Sequence, residues 1–228
     1  EMKVMPLPGT HSEVEAISTS WHNNFPNELS TIYFGPDASE EHLKNDISGK
    51  RIIHLATHGY YINGECADKK DKRVSEEIKY AGENPLLLSG LLLAGANLHG
   101  AGADIPNAED GILTALEVSS LDLRGADLVV LSACETGLGK VEQSEGVYGL
   151  RRAFQLAGAR TVVSSLWQIP DRETTTFMKI LYSQNAKTYP ELFQKAAIQR
   201  LNELRLRKQS THPYSWAGFI ATGDWKIK

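Results

Sequence analysis

Three stretches of this chain are apolar almost without interruption: "RIIHLA" (51–56), "DLVVLSA" (127–133) and "RTVVSSLW" (160–167). Runs of this length with no polar alternation predict strands covered on both faces, as in a parallel sheet. Helical patterns lie between and around them. After a Pro/Gly turn in "MPLPGTHSEVEAI", Ser12 has Glu15 three residues on, a capping-box spacing that predicts a helix starting there. "TIYFG" predicts a short strand, and "ASEEHLKNDI" a helix whose first-turn acids suit the macrodipole. "KRIIHLATHG" predicts a strand ending at its glycine, and "PLLLSGLLLAGAN" resumes as strand material around Gly90. "DGILTALEVSSLDLRGADLVVLSACETG" predicts a short helix, a turn at Arg124-Gly125 and a buried strand; "EGVYGLRRAFQLAGA" is a helix closed by Gly158. "DRETTTFMKILYS" and "YPELFQKAAIQRLNELRLRK" are two further helices, the second with Phe193, Ala197, Leu201 and Leu204 on one apolar face. "GFIATGDWKI" closes the chain as an edge strand.

Strands alternating with helices predict an α/β fold: one mostly parallel central sheet with helices on both faces. Function in such sheets gathers beyond the carboxyl ends of the strands. Those ends carry "THG" (57–59), "ACETG" (133–137) and "LWQIPD" (166–171). Two segments break the pattern. Ile62 to Pro85 mixes acidic and basic residues and predicts a long exposed loop; a solvated loop, a flap, a partner contact and a processing site are all open readings. Ala94 to Gly111 predicts a second loop, rich in Gly and Ala.

Composition narrows the class. With 228 residues, 41% of them hydrophobic, and a net charge of −4, the chain suits one α/β domain with a sizeable core and gives no sign of nucleic acid as a direct partner. Two cysteines, Cys66 and Cys134, are no disulfide framework, which points to a reducing, cytoplasmic setting. No apolar run reaches transmembrane length, and neither a signal peptide nor a membrane partner is expected. The first residue is Glu1, so the expectation is a single domain over 1–228 cut from a longer chain.

Cys134 ends an apolar strand just before a polar Glu-Thr-Gly turn. It can be a small core residue or a displayed nucleophile. His58 also follows an apolar strand and precedes a glycine. In one parallel sheet these two strand ends meet at one edge, and a Cys/His pair is what thiolate chemistry needs. Gly59 lets its N–H approach a substrate carbonyl closely, and with the Cys134 N–H it can form an oxyanion hole. Other motifs fail. "CETGLGKV" lacks the first glycine of a phosphate loop and has Val141 after Lys140; "GLGKVE" ends in Glu142 where a dinucleotide fingerprint needs a small residue. His54, His58 and Cys66 have no tight zinc spacing, and Ser132, Ser164 and Ser165 lack the G-x-S-x-G elbow. No metal or other cofactor is expected.

"IIHLATHGYY", "LLLSGLLLAGAN", "DGILTALEVSSLDLRGADLVVLSACETGLG", "EGVYGLRRAFQLAGARTVVSSLWQIPD" and "HPYSWAGFIATGDW", in this order, resemble the CHAT domain. That caspase-like peptidase family is usually found behind tetratricopeptide repeats in bacterial proteins and is grouped with caspases, separases, metacaspases and gingipains. The resemblance implies a caspase-like three-layer sandwich and a cysteine endopeptidase with a His-Cys dyad, acting on a protein substrate. It places the histidine of the family's HG motif on His58 and the nucleophile of its ACxTG motif on Cys134. It also implies a regulatory or sensor region in the same chain, formed by N-terminal helical repeats. Extended substrate is expected to pair with backbone near Ser165–Trp167. Metacaspase-like enzymes carry an aspartate two residues before the cysteine, where this chain has Ser132. In "LWQIPD" the first acid of the similar separase segment is replaced by Gln168, which leaves Asp171 as the candidate acid for a basic P1 side chain; its alternative is the N-cap of "RETTTFM". The alternative for the whole chain is a catalytically silent caspase-like interaction module.

Overall fold

Leu128–Leu131 shows why the chain folds in layers. All four side chains are buried, and they alternate. Val129 and Leu131 join a cluster with Phe154, Leu113 and Val118, whereas Leu128 and Val130 join another with Ile17, Phe177 and Met178. A strand apolar on both faces needs a helical layer on each side, and burying each such side chain contributes roughly 1.5–3 kcal/mol. The structure, a computed structural model, describes residues 4–61, 84–99, 109–135, 143–167 and 169–227.

In chain order the helices are α1 (Pro8–Asn24), α2 (Glu40–Asp46), α3 (Ala96–His99), α4 (Ala115–Ser119), α5 (Gln143–Leu156), α6 (Asp171–Ser183) and α7 (Tyr189–Leu206). The strands are β1 (Ile52–Leu55), β2 (His58–Tyr61), β3 (Ser89–Leu92), β4 (Ile112–Thr114), β5 (Leu128–Leu131), β6 (Cys134–Glu135), β7 (Thr161–Ser165) and β8 (Phe219–Gly223). β1, β5 and β7 pair in parallel, and β8 closes that sheet antiparallel to β7. β2 pairs in parallel with β6 and antiparallel with β3, and β3 pairs with β4. The chain passes directly from the first of these four-stranded sheets to the second at two places. β1 stops at Leu55 and β5 at Leu131; each skips two residues and resumes as β2 and β6. The last rung before the break is Ser132 N–H to Leu55 C=O at 2.9 Å. The result is the α/β architecture expected, a parallel core flanked by helices.

Several boundaries differ from the sequence pattern, each for a tertiary reason. α1 starts at Pro8, not at Ser12. Asp171 on α6 accepts a hydrogen bond from Gly9 N–H at 2.5 Å, so a remote carboxylate caps the helix and the local capping box is not used. Thr31–Phe34 is not a strand. Its rings are spent on packing: Phe34 lies 4.2 Å from His11, Tyr33 stacks on His42 at 5.0 Å, and the Tyr33 hydroxyl donates to Asp46. The strand after "RIIHLA" does not end at Gly59 but runs to Tyr61, because β3 offers it a full antiparallel partner. Gly90 permits that pairing: a Cβ there would lie 2.7 Å from the Tyr60 ring. The second predicted loop contains α3, and "GILT" supplies the edge strand β4. On α7 the buried positions are Tyr189, Ala196, Arg200 and Leu204, with Leu201 only half-buried. Arg200 holds its place in that stripe through ion pairs to Glu173 and Glu203. Gly158 ends α5 as expected, with φ +113°. Most of the 62–85 segment, including Cys66, lies outside the described residues, as does the turn after Glu135.

Candidate active site

The break between β1 and β2, beside that between β5 and β6, sets the site. His58 is the first residue of β2 and Cys134 the first of β6, and the two are Cα partners in the parallel ladder. Gly59 is the register partner of Glu135 on one side and of Leu91 on the other. It is buried, yet a Cβ built on it would meet its nearest neighbours, Ala133 Cβ and Gly90 O, only at 3.8 Å, and its φ is not positive. Packing therefore does not require a glycine at 59.

A cleft of about 220 Å³ opens beside His58. Ser132 and Asp171 line it, with Glu13, Thr174 and Tyr214 among its other walls. Ser132 is 6% exposed, and its hydroxyl has no hydrogen-bond partner among the described residues. Asp171 is the first residue of α6 after the N-cap Pro170. It is not the cap of its own helix; it caps α1 instead. Ser165 ends β7. Its backbone pairs with Phe219, its hydroxyl donates to Ala133 C=O at 3.2 Å, and Leu166 N–H donates to Gly218 C=O at 2.7 Å. The β8 side of this segment is thus already taken. Trp167 donates its indole N–H to Tyr214 C=O and stacks on the Tyr214 ring. Gln168 lies outside the described residues.

Two polar clusters leave little trace in the sequence pattern. In the first, His54 on β1 contacts Glu13 Oε1 through Nε2 at 2.8 Å and the Tyr182 hydroxyl through Nδ1 at 3.1 Å. Glu13 is 1% exposed, and burial pushes the Tyr182 hydroxyl pKa well up. The available signal is Glu13 sharing a helix face with Ile17, one turn on. In the second, Glu40, Glu109 and Glu117 bring carboxylate oxygens within 4.8 Å of one another. The Lys44 ammonium sits among them at 2.7, 3.1 and 3.0 Å. Burial raises the Glu40 pKa more than Lys44 lowers it. Burial would also raise Glu117, but hydrogen bonds from Thr114 and the Lys44 charge outweigh it, and the net shift is down. The lysine supplies the positive charge that this acidic group needs.

A parallel core extended by antiparallel strands, helices on both faces, and a histidine and a cysteine in register at the starts of β2 and β6 define a caspase-like α/β domain. The chain belongs to the CHAT domain family, whose profile matches residues 1–224. Among curated proteins it is similar to human Tetratricopeptide repeat protein 28, 34% identical over 123 residues. It is likewise similar to the mouse protein of that name, 33% identical over 124 residues. Each alignment takes in 54% of this chain and 5% of the relative, so the chain spans a small fraction of the length of these relatives. Among the described residues, no helix is long and apolar enough to cross a membrane.

Proposed function

We propose that this chain is a cysteine endopeptidase domain acting on a protein substrate through His58 and Cys134, in a cytoplasmic protein that also carries tetratricopeptide repeats as its regulatory region. The observation that carries this reading is the register pairing of the two residues. Opposed positions of neighbouring strands share one face of the sheet, which is where a base and a nucleophile must stand to exchange a proton. Relatives named for tetratricopeptide repeats support the second half of the reading.

In this mechanism His58 takes the thiol proton and the Cys134 thiolate adds to the scissile carbonyl. Backbone N–H groups of Gly59 and Cys134 are the donors assigned to the oxyanion; a glycine that packing does not demand supports Gly59 in that role. Collapse breaks the C–N bond as His58 returns the proton to the leaving amine. Water, deprotonated by His58, then hydrolyses the thioester and restores the thiol. Ser132 and Asp171 are assigned to the S1 side of the cleft, Asp171 receiving a basic P1 side chain. Ser165, Trp167 and Gln168 are assigned to the backbone of the extended substrate. Co-expression with candidate substrates, read by mass spectrometry for new termini in wild type against Cys134→Ala, tests the proposal. Cleavage confined to the wild type supports it, and identical termini would leave a silent interaction module.

A further inference from the structure

A surface segment walls the cleft on the His58 side. Val4–Leu7, ahead of α1, has no helix or strand of its own and runs past the dyad edge of the sheet. The Met5 carbonyl oxygen lies 2.6 Å from His58 Nε2. Two residues further on, Leu7 lines the cleft, and Gly9 N–H donates to Asp171 at 2.5 Å. The far end is clamped: Val4 N–H donates to Asn97 Oδ1 at 2.7 Å, and Asn97 Nδ2 donates to Val4 C=O at 3.0 Å. The Val4 side chain packs with Tyr60, Leu92 and Ala96.

We infer that Val4–Leu7 is a built-in strap that walls the cleft, covers the His58 ring in place of an extended substrate and holds the dyad closed until it is lifted. The inference rests on the reading of this cleft as the peptidase site. Its recognition is by main chain: Met5 is 68% exposed while its carbonyl is bound. That is how an extended peptide of any sequence is held. The contact has a chemical consequence. A ring nitrogen bonded to a carbonyl must carry its proton, so Nε2 is the donor and a neutral His58 keeps only Nδ1 as a base. No substrate group reaches Nε2 while Met5 holds it. Where the strap runs into α1, Gly9 N–H holds Asp171, the acid assigned to the substrate side chain. Lifting Val4–Leu7 therefore frees His58, while Asp171 stays bound to the first turn of α1.

Asn97 is exposed on α3 and belongs to neither the dyad nor the cleft wall, so it is the place to loosen the strap. Asn97→Ala removes both Val4 hydrogen bonds, and Asn97→Asp keeps the acceptor for Val4 N–H and loses the donor. Three readouts on the whole chain decide: long-range ¹H–¹⁵N spectra of the His58 ring, site-resolved alkylation of Cys134 by iodoacetamide, and hydrolysis of a peptide library. The strap predicts loss of the bonded Nε2–H signal and a rise of roughly tenfold in alkylation for Asn97→Ala, with Asn97→Asp between it and wild type. An unchanged Nε2–H signal and unchanged alkylation, or slower alkylation in variants that unfold at the wild-type urea midpoint, would overturn it. Should the ring signal and alkylation respond while no variant cleaves peptide, the strap stands and the peptidase reading fails. Should all three proteins cleave peptide at one rate with no change at His58, the peptidase reading stands and the strap fails.

Discussion

His54 and His58 stand four residues apart along the chain, on strands of different sheets. His54 precedes the break. Both its ring nitrogens are engaged by Glu13 and Tyr182, partners fixed on α1 and α6. His58 follows the break. It faces a main-chain carbonyl from a surface segment and stands in register with Cys134. Before the break, polar groups are spent on holding layers together. After it, the contact on the histidine comes from a strap that can be exchanged. The residue type does not separate the two roles; the permanence of the partner does.

The contrast between the two histidines breaks most readily at the dyad. Cys134→Ala and His58→Ala should each lower peptide hydrolysis by about 10⁴-fold or more, with urea unfolding shifted by no more than about 0.5 kcal/mol. Retention of activity within tenfold in either variant would remove the chemical half of the contrast. His54→Ala should behave oppositely. It takes the histidine from the buried Glu13 carboxyl, which keeps only the long contact from Thr175, and should cost about 3 kcal/mol in urea unfolding, while the folded fraction keeps its turnover within tenfold. Loss of hydrolysis with an untouched unfolding curve would exchange the roles of the two histidines.

Smaller effects sharpen the picture. Gly59→Ala has room for its methyl group, so its unfolding midpoint should stay put while hydrolysis falls about 10- to 100-fold through crowding of the oxyanion site. Equal activity would return Gly59 to ordinary strand duty. Asp171→Asn keeps an acceptor for Gly9 N–H and loses the charge. Hydrolysis of Arg and Lys peptides should fall about tenfold relative to peptides with neutral P1 residues, whereas an unchanged ratio means that the carboxylate only caps α1. The smallest expected effect lies in the acidic cluster around Lys44. Glu117 has its pKa lowered in the fold, so its stabilisation is present above its ordinary value of 4.5 and is lost as pH falls through the lowered one. Urea unfolding of Glu117→Gln at pH 6 and pH 3 should therefore differ less than wild type does. An equal pH dependence would show that Glu117 contributes nothing to it.

Much of this is legible along the chain. The runs at 51–56, 127–133 and 160–167 read as doubly buried strands and are β1, β5 and β7. His58 and Cys134 stand out because each follows such a run, His58 just before a glycine and Cys134 just before Glu-Thr-Gly. What stays hidden depends on distance in sequence. Glu13 reads as one more helical acid until His54, 41 residues away, comes to rest on it. Asp171 reads as an acid for the substrate or as the cap of its own helix, and the structure has it capping a helix 162 residues earlier. Thr31–Phe34 has strand-forming residues, yet among the described residues it pairs with no strand.

The sequence by itself determined the layers and which runs form the parallel core, because two-sided burial needs an unbroken apolar run and a helix needs its own periodicity. It could not place the break that β1 and β5 share, since no residue type encodes where a second ladder takes over from the first. Nor could it show that Val4–Leu7 lies on the cleft, because a main-chain carbonyl is the same in every residue. Only the folded chain decides which imidazole it meets.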